Sequence, residues 1–162
     1  MKNKIDSENK IIDPERIDIK CQSIRSQNKT IATLNGSFDL LHAGHLYMIK
    51  EAAKQADVLI VALNSDDSIK KYKDIKRPII SLEQRLKMMA ALELVDYVTW
   101  FNETNPLKFL QKVKPDVHVN GSDYGENCIE AETVKRYGGK LFIVNLIKGL
   151  STSEIIEKIR TL

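Results

Sequence analysis

TIATLNGSFDLLHAGHLYMIK, residues 30–50, decides the fold. Thr30 to Asn35 is an apolar run of strand length, Gly36-Ser37-Phe38-Asp39 is a turn, and Leu46 to Ala56 has helical periodicity. His42 and His45 therefore fall at a strand-to-helix junction. A helix start presents unpaired N–H groups and the positive end of the dipole, so it attracts anions. Two imidazoles three residues apart can add hydrogen bonds to one anion there, and phosphate is the anion expected. Gly36 permits a tight turn, and Gly44 removes a side chain where a ligand would approach the helix backbone. The competing reading is that the histidines only cap the helix. The chain has three histidines and two fall in this turn, which favours a functional role. Zinc is not expected, because beyond Asp39 no further ligand lies nearby in sequence.

Outward from this segment, apolar strands alternate with amphipathic helices. Strands are expected at Val58 to Leu63, Tyr97 to Phe101, Val117 to Val119 and Leu141 to Asn145. Helices are expected at Leu82 to Leu94, Pro106 to Val113, Glu130 to Tyr137 and Ser151 to Arg160. The alternation predicts an α/β fold, a Rossmann-like doubly wound parallel sheet of about five strands with helices on both faces. Ligands in such sheets bind beyond the carboxyl ends of the strands, which gathers the polar residues after each strand on one edge. Residues 1–29 lack sustained apolar periodicity and read as an N-terminal extension with a short helix near Asp13 to Ser23. Residues 30–162 read as the α/β domain. Trp100 is expected to pack in the core.

Composition narrows the class. A net charge of +3 gives no case for nucleic-acid binding. No stretch approaches the roughly 20 apolar residues of a membrane span. Cys21 and Cys128 match no metal or redox spacing and read as free thiols. A cytoplasmic protein is expected.

Three further segments carry candidate chemistry. Lys70, Lys71, Lys73, Lys76 and Arg77 form a basic loop, either solvated surface or a lid over phosphate. Glu83 and Arg85 open the next helix, where a local ion pair explains them as well as a ligand would. Ser151, Thr152 and Ser153 mark a second helix start, and two such starts can grip two ends of a polyphosphate. Asp123 follows Gly121 after the fourth strand, where a carboxylate can meet a hydroxyl or a base. Neither the G-x-x-x-x-G-K-[ST] loop nor a G-x-G-x-x-G turn is present, so any nucleotide rests on the histidine turn and the last helix.

The run from Gly36 to His45, with its H-x-G-H pattern, and the later Ser151-Thr152-Ser153 resemble the cytidylyltransferase-like nucleotidyltransferase superfamily. Asn64-Ser65-Asp66, Lys73, Arg77-Pro78, Glu83-Gln84-Arg85, Pro115-Asp116, Gly121 and Asp123-Tyr124 are most similar to the adenylyltransferase domain of bacterial ADP-heptose synthases. The resemblance implies transfer of the adenylyl group of ATP to a sugar 1-phosphate, D-glycero-β-D-manno-heptose 1-phosphate, for the lipopolysaccharide core. His42, His45 and Lys73 are then catalytic. Gly36, Ser37, Phe38, Gly44, Gly121, Asp123, Ser151, Thr152 and Ser153 are assigned to the nucleotide, and Asp39, Asn64, Arg77, Arg85 and Asn120 to the acceptor. Mg²⁺ is implied with the triphosphate, with Asp39 a candidate neighbour. Relatives are often dimers, so a homodimer is considered, although no motif marks an interface. The chain departs from the pattern at Asn120, where the relatives carry Lys. That departure keeps open a CTP-dependent enzyme acting on glycerol 3-phosphate or another polyol phosphate. A non-catalytic nucleotide-binding regulator is the alternative outside enzymes.

Overall fold

Val58–Asn64, buried from end to end, forms the second strand (β2) of a five-stranded, all-parallel sheet. Complete burial is what a strand covered on both faces requires. The structure is a computed structural model that describes residues 6–162. The other strands are β1 (Ile31–Gly36), β3 (Tyr97–Phe101), β4 (Val117–Gly121) and β5 (Lys140–Val144), in the order β3-β2-β1-β4-β5. The chain starts in the middle, builds outward through β2 to β3, then returns to lay β4 on the other side of β1. The direction of winding reverses between β1 and β4, so the crevice opens at their carboxyl ends. This is the Rossmann-like arrangement expected.

One face of the sheet is covered by α2 (Ala43–Ala53) and α4 (Leu82–Ala90). They set Ile49, Ala52, Leu86, Met89 and Ala90 against Leu34, Val61, Leu63 and Val98. The opposite face carries α1 (Ile17–Arg25) and α5 (Leu107–Val113), and Val134 of α6 (Glu130–Arg136) joins the same cluster. The last helix is α7 (Thr152–Arg160). Trp100 packs against the first cluster as a partly buried residue.

Three aspartates hold the lower edge of the sheet. Asp57, Asp96 and Asp116 each stand one residue before a strand and accept a backbone N–H from a neighbouring chain segment. Asp57 takes Thr30 N at 2.8 Å, Asp96 takes Leu59 N at 2.8 Å, and Asp116 takes Ile31 N at 2.7 Å. Donors at the sheet margin that would otherwise be unpaired are satisfied, and adjacent strands are pinned in register.

Two elements differ from the sequence expectation. The basic loop begins inside a helix: α3 spans Asp66–Tyr72 and contains Lys70 and Lys71, while Lys73, Lys76 and Arg77 follow it. Ser65 caps it by accepting Ser68 N at 3.2 Å, and Ile69 is fully buried. One buried apolar residue is too little for periodicity to register. The N-terminal extension is the second difference, since its described part packs into the fold. Ile11 bridges Val98 in parallel and Ile12 N donates to Val98 O at 2.8 Å, covering the exposed edge of β3. Ile17, Cys21 and Ile24 form an i, i+4, i+7 stripe buried against β1 and β2. The stripe is only three residues long in a polar segment, and the sheet is what makes it a core face. No helix among the described residues is long and apolar enough to cross a membrane.

Ile17→Ala should lower unfolding free energy by about 2–5 kcal/mol, the usual range for truncating a buried aliphatic side chain. Denaturant titration followed by circular dichroism measures this. A loss under about 0.5 kcal/mol would mean α1 contributes nothing to the core.

Candidate functional site

A cleft of about 350 Å³ lies beyond the carboxyl ends of β1, β2 and β4, and His45 is on its wall. The geometry of the histidines comes from the start of α2. His42 is the N-cap, and its Nδ1 accepts Gly44 N at 3.1 Å. His45, at the third helical position, uses Nδ1 to accept His42 N at 3.3 Å. Each ring thus uses its δ nitrogen as an acceptor, so the remaining proton sits on Nε2 and is free to be donated. Capping and anion binding are compatible here, because they use opposite nitrogens. The rings stack with centroids 3.8 Å apart, and Phe38 packs at 5.3 Å from the His45 ring. Burial holds the His45 imidazole down to about 4, with His42 and Lys73 pushing the same way and Asp39 opposing. Burial also lowers His42. Both rings are neutral N–H donors at neutral pH.

The second helix start arrives beside the first. A Cβ on Gly44 would stand 2.9 Å from the Leu150 carbonyl oxygen, so this glycine is needed where the segment before α7 crosses α2. Thr152 Oγ1 donates to Asp39 O at 2.8 Å, while Ser151 Oγ caps α7 by accepting Glu154 N at 3.2 Å. Two helix N-termini therefore converge on one cleft. Lys73, exposed at the end of α3, overhangs it, and Asp123 and Gly121 line the β4 side. A Cβ on Gly121 would lie 2.5 Å from Asp123 Oδ1, so the glycine lets that carboxylate fold back over the strand end. Ser151 and Ser153 do not line the cleft by their side chains; their segment contributes backbone donors through the helix start.

Of the residues assigned to the acceptor, Asp39, Asn64, Arg77 and Asn120 line the cleft, and Arg85 needs correction. Arg85 is fully buried and is not on the cleft wall. Its Nε donates to Ile80 O, its NH1 to Ser37 O and Asn64 O, and its NH2 to Asp66 Oδ1 at 2.6 Å. Four of its five N–H donors are spent inside the protein, and burial keeps the group away from the cleft. Asp39 is likewise occupied: Oδ1 accepts Ile80 N, and Oδ2 accepts Ile79 N and Arg77 Nε, at 2.9, 2.9 and 3.0 Å. Such a carboxylate does not fit as an Mg²⁺ ligand, and the described residues hold no cluster of three metal-binding side chains. Arg77 lines the cleft with its guanidinium tied to Asp39. Asn64 also lines it while donating Nδ2 to Ser68 Oγ at 3.0 Å. Ser37 shares a 2.7 Å hydrogen bond with Tyr72.

Among the wall residues that the sequence did not mark are Tyr72, Asn35 and Glu130. Tyr72 belongs to the unrecognised α3, and Asn35 was counted as the end of an apolar strand. Glu130 opened a helix of ordinary amphipathic pattern, and no local signal marked it as buried.

Residues 33–160 match the family model described as cytidylyltransferase-like. The bifunctional protein HldE of Pseudomonas entomophila (strain L48) is 42% identical over 155 residues, covering 95% of this chain and 33% of that protein. The counterpart from Pseudomonas aeruginosa (strain LESB58) is 40% identical with the same coverage. The chain thus spans about a third of the length of these curated relatives. The lipopolysaccharide core biosynthesis protein from Thermoplasma volcanium GSS1 superposes with a TM-score of 0.60 at 30% identity, covering 74% of this chain and 98% of that one. A pantoate-beta-alanine ligase from Francisella tularensis superposes with a TM-score of 0.64 at 20% identity, over 94% of this chain and 78% of that one, and shares the fold.

Two measurements test the site geometry. In nitrogen-detected NMR of the ligand-free protein at pH 7, His42 and His45 should both be Nε2–H tautomers, with His45 untitrated until about pH 4. Titration of His45 near 6.5 would refute the buried neutral donor. Arg85→Met should cost about 3–5 kcal/mol of stability, because several buried acceptors lose their donor. A variant of wild-type melting temperature with only a raised acceptor KM would return Arg85 to the binding site.

Proposed function

Since the chain belongs to the cytidylyltransferase-like family, we propose that it is a nucleotidyltransferase that moves the adenylyl group of ATP to a sugar 1-phosphate. The acceptor we assign is D-glycero-β-D-manno-heptose 1-phosphate, with an ADP-sugar and pyrophosphate as products. The observation that carries the reading is the convergence on one cleft, at the switch point of the sheet, of two helix N-termini, Lys73 and the neutral His45 imidazole, on which the His42 ring stacks just off the wall. This is a site for a polyphosphate built without a Gly-rich loop. The choice of sugar rests on the sequence likeness to the bifunctional HldE proteins and the Thermoplasma lipopolysaccharide core protein.

In this reading an ionised oxygen of the acceptor phosphate attacks the α-phosphorus of ATP. The bond from that phosphorus to the bridging oxygen breaks, and the electron pair leaves with pyrophosphate. No general base is needed, because the attacking oxygen carries no proton at neutral pH. The protein's work is alignment and charge stabilisation. His45 and His42 donate Nε2–H to the α- and β-phosphate oxygens, and neutral rings do so without a protonation step. Lys73 folds over the leaving pyrophosphate, and the start of α7 holds the β- and γ-phosphates. Mg²⁺ enters as part of the substrate, on triphosphate oxygens.

A CTP-dependent reaction with glycerol 3-phosphate is the second reading, favoured by one observation. Asn120, buried on the cleft wall, stands where the resembled enzymes have a lysine, so the acceptor end lacks a cation there.

Pyrophosphate release, measured with ATP and CTP against heptose 1-phosphate and glycerol 3-phosphate, tests both. Turnover with ATP and heptose 1-phosphate alone is the expected result. Turnover confined to CTP with glycerol 3-phosphate would keep the chemistry and replace the substrates, and ATP binding without turnover on any acceptor would leave a non-catalytic binder. His42→Ala and His45→Ala should each reduce kcat by about 10²–10³-fold, the cost of removing one preorganised donor, with circular dichroism unchanged. Retained turnover in both variants would remove the imidazoles from the mechanism.

A further inference from the structure

Glu130 is a carboxylate buried on the cleft wall, 3% exposed, with Oε2 lacking any hydrogen-bond partner. No ion pair reaches it among the described residues. Asn35 lines the same cleft, and its Oδ1 is also buried and unpartnered. Asn120 lines the same cleft beside Asn35. It follows Val119, the β4 residue paired with Leu34, just as Asn35 follows Leu34 on β1. It is 5% exposed and spends Nδ2 on Cys128 Sγ at 3.2 Å.

Buried polar groups are rarely left unpaired without a reason, because each forfeits the hydrogen bond it made to water. The two orphan atoms on this wall are both acceptors, so whatever satisfies them must donate. An ionised phosphate only accepts, and a neighbouring carboxylate repels it. An ammonium group only donates, whereas the wall also carries amide N–H groups on Asn35 and Asn120. Hydroxyl groups match both needs, since each donates once and accepts besides. With Lys73 over the pyrophosphate, Arg77 is the cation beside the acceptor; it comes from the connection after β2, and Glu130 comes from the connection after β4. A molecule carrying a phosphate at one end and hydroxyls at the other fits that polarity.

We propose that Glu130, with Asn35 and Asn120, reads the hydroxyl groups of the phosphorylated acceptor and sets acceptor specificity. The inference rests on the nucleotidyltransferase reading and adds to it the residues that select a polyhydroxylated acceptor.

The test is steady-state pyrophosphate release by wild type, Glu130→Ala and Glu130→Gln. The acceptors are heptose 1-phosphate and analogues in which single hydroxyls are replaced by hydrogen. Glu130→Ala should raise the acceptor KM by about 10- to 100-fold, the worth of a hydrogen bond to a charged group. The KM for ATP and kcat should stay within about threefold, and Glu130→Gln, which keeps an acceptor oxygen, should recover most of the loss. One deoxy analogue should be penalised in wild type and show no further penalty in Glu130→Ala, a coupling that a structural role would not produce. An unchanged acceptor KM overturns the proposal, as does a rise in the ATP KM instead, which would place Glu130 on the ribose. If Glu130→Ala does not fold, Glu130→Gln with the deoxy series decides, since equal discrimination in wild type and variant is a negative result. A wild type inactive with every acceptor removes the proposed function together with this inference, whereas an active wild type with no Glu130 coupling removes this inference alone.

Discussion

The guanidinium of Arg85 sits sealed beneath the site, and the shape of the cleft depends on it. Its fork reaches three backbone carbonyls and one carboxylate, drawn from the turn after β1, the end of β2, the loop before α4 and the start of α3. A planar cation with fixed donor directions can hold several chain segments at set angles, which a lysine cannot do. Burying it is tolerable because its donors are matched and Asp66 supplies the countercharge. Asp39 is its complement, an anion gathering the backbone N–H groups of Ile79 and Ile80 and the side chain of Arg77. Together they lock the loop before α4 onto the turn after β1.

On this frame the histidine turn resolves a competition within one motif. A helix start needs its first N–H groups satisfied, and a phosphate site needs donors left free. His42 and His45 meet the first need with Nδ1 and keep Nε2–H for the second. The tautomer is therefore set by the backbone, independently of any ligand. Stacking at 3.8 Å and partial burial disfavour a charge on either ring, and His45, held down to about 4, stays neutral across the physiological range. Phe38 and Leu40, both at positive φ near +50°, show that the turn is held in an uncommon conformation to aim these rings.

The cleft is electrically divided. Donors and cations gather where the two helix starts and Lys73 meet, while the β4 side carries Asp123, Asn120 and the unpartnered Glu130. Parallel strands with alternate crossovers produce this division naturally, because each connection delivers its polar residues to a separate stretch of one edge.

Local sequence determined much of this protein. Alternation of apolar runs with 3.6-residue periodicity is a short-range property, so the five strands, the main helices and the order of layers were legible. So was the histidine turn, whose residue types and spacing carry their chemistry wherever the chain places them. Tertiary structure decided which polar residues line the cleft. Arg85 read as a ligand contact until packing placed it off the cleft wall, and Asp39, which does line the cleft, proved to spend its carboxylate on Ile79, Ile80 and Arg77. Glu130 read as an ordinary first-turn helix residue until the fold buried it on the cleft wall. α1 read as part of an extension until the sheet gave its three-residue stripe something to cover. Saturation and burial depend on partners tens of residues away in sequence, and no local pattern encodes them.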